Sequence, residues 1–184
     1  MASAQGLTET ESFVAGPRVV APVAYNKRDL ILYALGIGSD DPRFTYEHHR
    51  DFAAFPTYPI CFTFRGTSYD VVPFPPPVMG LFPGPRLKGV RTLLDAEKYI
   101  ERLEELPRDG ASLSLRGGLV GIHRKGSGAL VEHEYEVVDA AGKVYYKMVS
   151  GNFQIGAHDF QEAGVSYSRA VPPPDGPPAH AVDE

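Results

Sequence analysis

Few residues in this 184-residue sequence have the types and spacing that could do chemistry, and most are set apart from any element able to hold them. Asp175 and His180, in PDGPPAH, have the D-x-x-P-x-H spacing by which a carboxylate and an imidazole can share one water as base and acid. Pro177 stands between them, no strand precedes them and four residues follow, so nothing there fixes two groups to the tolerance catalysis needs. A chance match in a polar tail is the reading adopted. Glu47, His48 and His49 are three potential ligands in a row, but adjacent histidines diverge on any regular element and no further ligand stands at a fixed offset. A solvated loop is expected, and no metal site. Cys61 sits among Ile60, Phe62 and Phe64, the surroundings of a buried, inert thiol rather than a nucleophile. Gly36-Ile37-Gly38 follows a helical pattern and is too short for a dinucleotide loop. No catalytic residue and no cofactor are assigned to this chain.

The elements that must carry these residues can be read from period and punctuation. From Lys27 to Leu35 there is no glycine or proline, and Leu30, Tyr33, Ala34 and Ile37 recur at helical spacing before Gly36 and Gly38, which predicts a short, mostly buried helix. Pro42 to Pro85 is rich in proline and aromatics; Tyr58–Phe64 fits either a strand or a short buried helix, and no long regular element is expected between Pro73 and Pro85. Between 94 and 106, Tyr99, Ile100, Leu103 and Leu106 sit at helical spacing after a Thr92/Asp95 capping pattern, so local period alone predicts a helix. From Ala111 onward the pattern changes to strands: 111–124 with a glycine break at Gly117-Gly118, a turn at Lys125–Gly128, and a strand alternating Val131, His133, Tyr135 and Val137 against Glu132, Glu134 and Glu136. A turn at Asp139–Gly142 and a further strand complete an antiparallel meander. The acidic side of the alternation is expected to be solvated, and His123 and His133, on neighbouring strands, could pair. Residues 1–21 are expected to lack fixed structure, 22–165 to form one domain, and 166–184 to be a proline-rich linker or tail.

Composition narrows the partners. A formal charge of −5 with no basic block gives no footprint for nucleic acid. No apolar run approaches the roughly 18 residues of a membrane span, and one cysteine cannot build an internal disulfide framework.

Four collinear segments carry a resemblance. YNKRDLILYALGIG resembles the Y-x-x-R-D-x-x-x-Y-A-L-G-x-G opening of the N-terminal half of type 2 (MaoC-like) 2-enoyl-CoA hydratases; RFTYE with DFAAFPTYPICF, DAEKYIERLEELPRDG and HRKGSG through Phe160 are similar to later stretches of the same half. The family's H-G-E-Q is Asp95-Ala96-Glu97-Lys98 here, and its G-x-G-G-F ending is Gly156–Phe160. The resemblance implies an α+β hot-dog fold, a curved antiparallel sheet around a central helix, in which Tyr99 onward is a strand; that strand is preferred over the helix read from period, because tertiary context can override a local pattern. It implies a parent that interconverts trans-2-enoyl-CoA and (3R)-hydroxyacyl-CoA in β-oxidation, in the peroxisome. In such a parent the Asp and His of a G-D-x-N-P-x-H motif in a second half activate water, while backbone donors polarise the thioester. The partners implied are an acyl-CoA and either that C-terminal half or a second copy of this chain, and the segment alone is expected to be inactive. Within it, Phe55, Thr57, Tyr58 and Phe62 are candidates to line a room for the acyl chain, and Arg86, Lys88 and Arg91 to meet the phosphates. Core packing and surface charge are the competing readings.

Overall fold

Residues 111–155 fold as the alternation predicts, into the centre of a sheet. The computed structural model describes residues 7–72 and 75–168, with Gly176 alone beyond them. In chain order the elements are α1 (Glu9–Val14), β1 (Val19–Tyr25), α2 (Lys27–Gly36), α3 (Pro42–Thr45), a 3-10 turn (Tyr58–Cys61) continuing into α4 (Phe62–Arg65), a second 3-10 turn (Pro77–Leu81), β2 (Thr92–Arg102), β3 (Ala111–Lys125), β4 (Gly128–Val138), β5 (Val144–Ile155) and β6 (Ala163–Gly164). The sheet is antiparallel throughout, in the order β1-β3-β4-β5-β2, with β6 added beside β3. This is the hot-dog order. Its inner face packs on Leu30 of α2 and on Tyr58 and Phe62, so one helix and a broken helical segment together fill the place of a single central helix.

Each local signal has a visible outcome. Asn26 caps α2, its side chain accepting from the Asp29 N–H while the Asp29 carboxylate accepts from the Asn26 N–H, a reciprocal arrangement that satisfies two otherwise orphaned donors. The Gly117 of β3 is required by space rather than by a break: a Cβ there would come within 2.6 Å of the Glu134 carbonyl and 2.5 Å of the Tyr135 ring. Strand β3 runs through it unbroken, with its irregularity at Leu119/Gly121.

Three expectations are corrected, and the strand preferred after residue 94 is present. Residues 9–21 are not irregular: Thr8 caps α1, and β1 begins at Val19. Helix α2 is not mostly buried; Leu30 and Ala34 are, but Leu32, Leu35 and Ile37 are exposed. The stretch 94–106 is, as preferred over its local period, a strand as far as Arg102, paired along β5; the helical period puts nothing in the core but Ile100 and Leu106. The acidic side of β4 is not solvated: Glu132 is completely buried. Its Oε1 accepts from the backbone N–H groups of Tyr167 and Ser168, both at 2.9 Å. The segment after β6 is therefore strapped across the outer face of the sheet, where Tyr167 also donates to Glu134 and Ser168 to Glu97 of β2.

Candidate substrate-binding site

The aromatic stretch after α3 is held by rings meeting edge to face. Tyr58 packs against Tyr25, Tyr33 and Phe62 with centroids 5.6, 5.5 and 5.5 Å apart, and Phe55 against Phe44 at 4.9 Å, geometries favoured by the ring quadrupoles. Thr57 Oγ1 and Tyr33 Oη share a hydrogen bond of 2.7 Å, which ties α2 to the start of the 3-10 turn. Beneath them lies a buried ion pair. Arg65 reaches Asp29 at 3.1 Å, donates to Tyr58 Oη at 3.2 Å and to the Ser68 carbonyl at 2.5 Å. Asp29 thus serves twice, in the cap of α2 and as counter-ion. A carboxylate and guanidinium this far from water would each be costly alone; paired and hydrogen-bonded, they fix the angle between α2 and α4.

Above this frame opens a cavity of about 520 Å³, walled by Leu32, Tyr33, Tyr58, Cys61 and Phe64, with Arg28, Asp29, Arg65 and Asp70 at its polar side. Burial pushes the Tyr58 phenol far above its usual range. It also pushes the Cys61 thiol up to about 11, so the half-buried cysteine is un-ionised at neutral pH. The stretch of wall formed by Leu32, Tyr33, Tyr58, Cys61 and Phe64 is apolar and fit for a hydrocarbon chain, and its un-ionised thiol is no nucleophile.

The candidate residues divide between places. Tyr58 lines this cavity; Thr57 braces it through Tyr33; Phe55 is half-buried against Phe44 and Tyr33; Phe62 is wholly inside the core. Arg86 and Lys88 border a separate cavity of about 380 Å³ between α1 and the 159–161 turn. Arg91 is exposed at the foot of β2, its N–H donating to Ile155. His123 and His133 point to opposite faces and do not pair. His123 Nε2 lies 3.5 Å from Glu132 Oε2. His133 stacks on Tyr135 with both ring nitrogens unpartnered, and burial holds its pKa down. His48 stands 3.7 Å from Glu47 on an exposed loop, and the described residues contain no group of three or more metal-ligating side chains. Asp175 and His180 lie outside the described residues.

Sequence reasoning missed the Asp29–Arg65 pair, whose members are 36 positions apart. The N-x-x-D spacing of Asn26 and Asp29 was the one local sign that Asp29 had a structural task. It also missed Glu132, because alternation reports which face a residue is on and not what later covers that face.

A hot-dog sheet with an aromatic-walled cavity on its helical side places the chain in the class of MaoC-like dehydratases and hydratases. The chain belongs to the family described as MFE-2 hydratase 2 N-terminal domain, which it matches over residues 23–156. It is 33% identical to peroxisomal multifunctional enzyme type 2 of Drosophila melanogaster over 145 residues, 74% of this chain and 23% of that one. It is 31% identical to a probable dehydratase, NIT22, of Ajellomyces capsulatus over 189 residues, covering 92% of this chain and 50% of that one. Among solved structures, the MaoC-like dehydratase of Phytophthora capsici superposes with a TM-score of 0.83 at 32% identity, over 94% of this chain and 59% of that one. The chain spans about a quarter and a half, respectively, of the lengths of the two curated relatives it matches.

Proposed function

We propose that this chain is the acyl-accommodating half of a 2-enoyl-CoA hydratase, which interconverts trans-2-enoyl-CoA and (3R)-hydroxyacyl-CoA in β-oxidation. Its family membership over residues 23–156 carries the reading, and the cavity beside Tyr58 and Cys61 supports it by offering an apolar wall to an acyl chain. Water addition across an activated alkene needs a base for the water and an acid for the α-carbon. That pair is assigned to a second hot-dog unit, the C-terminal half of a longer chain, bearing the G-D-x-N-P-x-H motif that this sequence lacks. A peroxisomal setting is proposed from the name of the Drosophila relative.

The division of labour is tested by assaying purified 1–184 with crotonyl-CoA and longer enoyl-CoAs. No hydration above the uncatalysed rate is expected; robust turnover would overturn the inactive-half reading and require catalytic groups within this chain. A second reading, an acyl-CoA-binding module that associates with its own copies, is favoured by one observation. Strand β2 ends the sheet with its side chains exposed nearly throughout, Leu93, Leu94 and Tyr99 among them.

A further inference from the structure

A cavity of about 650 Å³ lies between the 43–56 loop and the end of β2, rimmed by four arginines, Arg43, Arg50, Arg102 and Arg108, against two carboxylates, Asp51 and Glu105. In a chain of net charge −5 this is a local reversal of sign. Its floor is apolar, with Phe52, Ala54 and Leu106 buried beneath the charged rim.

The four arginines are not equally committed. Asp41 grips Arg43 at 2.6 Å from two residues away, and Arg102 stands 3.7 Å from Glu105. Among the described residues Arg50 pairs only with its chain neighbour Asp51 at 3.0 Å, on a side chain that is 90% exposed. An exposed pair of that kind is weak and yields readily to a stronger anion. Arg108 has no carboxylate within ion-pair distance among the described residues, and donates to the Arg50 backbone carbonyl at 3.4 Å, which ties its side chain to the 43–56 loop. The same two, with Phe52, also border an adjoining cavity of about 360 Å³ lined by Glu47, His48, His49 and the Lys27–Asp109 ion pair. Two guanidinium forks at the junction of two openings, over an apolar floor, match a ligand with several phosphate oxygens and an organic skeleton better than a lone carboxylate.

This cavity is joined to the aromatic one by rings. Phe44 in its wall meets Phe55 at 4.9 Å, and Phe55 meets Tyr33 at 6.3 Å, which lines the cavity over Tyr58. Arg86 and Lys88 have no such connection; their cavity adjoins Phe160 and Leu87, in the other core cluster.

We propose that the Arg50–Arg108 cavity seats the phosphate-bearing end of the CoA ester, with its thioester and acyl end directed along Phe44 and Phe55 toward Tyr33 and Tyr58. The assignment rests on the acyl-CoA reading above and transfers the phosphate role from Arg86, Lys88 and Arg91. Binding of CoA to the 1–184 chain, followed by calorimetry at low and raised salt, tests it. Arg50→Glu/Arg108→Glu is expected to weaken CoA binding by about tenfold or more and to flatten its salt dependence, whereas Arg86→Glu/Lys88→Glu leaves both as in the unaltered chain. Arg108→Ala, an exposed truncation that keeps the fold, is expected to weaken binding several-fold. CoA binding kept in the first double variant and lost in the second would overturn this site while leaving the acyl-CoA reading standing. Absence of CoA binding by the unaltered chain would overturn both.

Discussion

Glu132 is the residue whose role differs most from what its type suggests. Its Oε1 satisfies two backbone donors of the 167–168 strap, and its Oε2 faces only His123. Removing it deprives the N–H groups of Tyr167 and Ser168 of their acceptor on a strap that is itself exposed, a loss of about 0.5–1.5 kcal/mol for each bond. Glu132→Ala is therefore expected to lower the unfolding free energy by a similar amount, seen as a reduced urea midpoint at unchanged slope, and to make the amides of 165–168 exchange faster than those of β4. Equal exchange protection in the variant would show that the strap is held by something else. Cys61 makes a second residue-scale case. Its thiol ordinarily ionises near 9 and is pushed up to about 11 here by burial. Because the thiolate is the nucleophile, the native chain at pH 8 is expected to alkylate roughly a hundredfold more slowly than the urea-unfolded chain, with the rate rising only as pH approaches the shifted value. The same shift means the folded state holds this proton longer than the unfolded one. Its small contribution to stability is present below pH 9 and fades as pH climbs from there toward 11.

At the scale of elements, β2 decides how the sheet ends. Leu93, Leu94, Tyr99 and Leu103 are exposed along and just beyond it, and no strand among the described residues pairs on its outer side. A long exposed edge with apolar side chains is a template for another strand. The chain is accordingly expected to self-associate as concentration rises, with a doubled mass by light scattering, and Leu94→Lys to return it to monomer without lowering its melting temperature. A monomer at all concentrations would remove the edge from consideration. The same strand shows why part of the fold was legible and part was not. The meander β3–β4–β5 was readable because short turns and alternation are local facts, and α2 because Asn26 and Gly36 bracket it. Strand β2 was misread by period alone, since Tyr99, Ile100, Leu103 and Leu106 mimic a helical stripe. What overrules that stripe is β5, some fifty residues later, together with the resemblance that placed a strand there. Site residues followed the same rule. The aromatic cluster was visible as one stretch from Phe55 to Phe62, whereas Arg43, Arg50, Arg102 and Arg108 gather only because the fold brings the 43–56 loop to the end of β2.

For the whole molecule, the order β1-β3-β4-β5-β2 means that the strand formed second in sequence lies farthest from the first. The interior strands are bonded on both sides and held by turns of a few residues, while β2 is reached only through the sixty-odd residues that carry both helical segments and the cavities. Local unfolding free energies should follow that layout, highest where pairing is two-sided and lowest at an open edge. Hydrogen exchange at low protein concentration is expected to find β3–β5 protected longest and β2 exchanging early, with the Tyr58–Arg65 segment intermediate because its rings are core but its ends are loops. At high concentration, or with a second hot-dog unit present, β2 alone should gain protection, as its outer N–H groups acquire acceptors. Uniform protection of β2 and β4 at every concentration would mean that the edge is already covered and that the chain completes its own sheet. Protection gained instead over α2, where Leu32, Leu35 and Ile37 are exposed, would move the pairing surface to the helical side and with it the wall of the Tyr58 cavity.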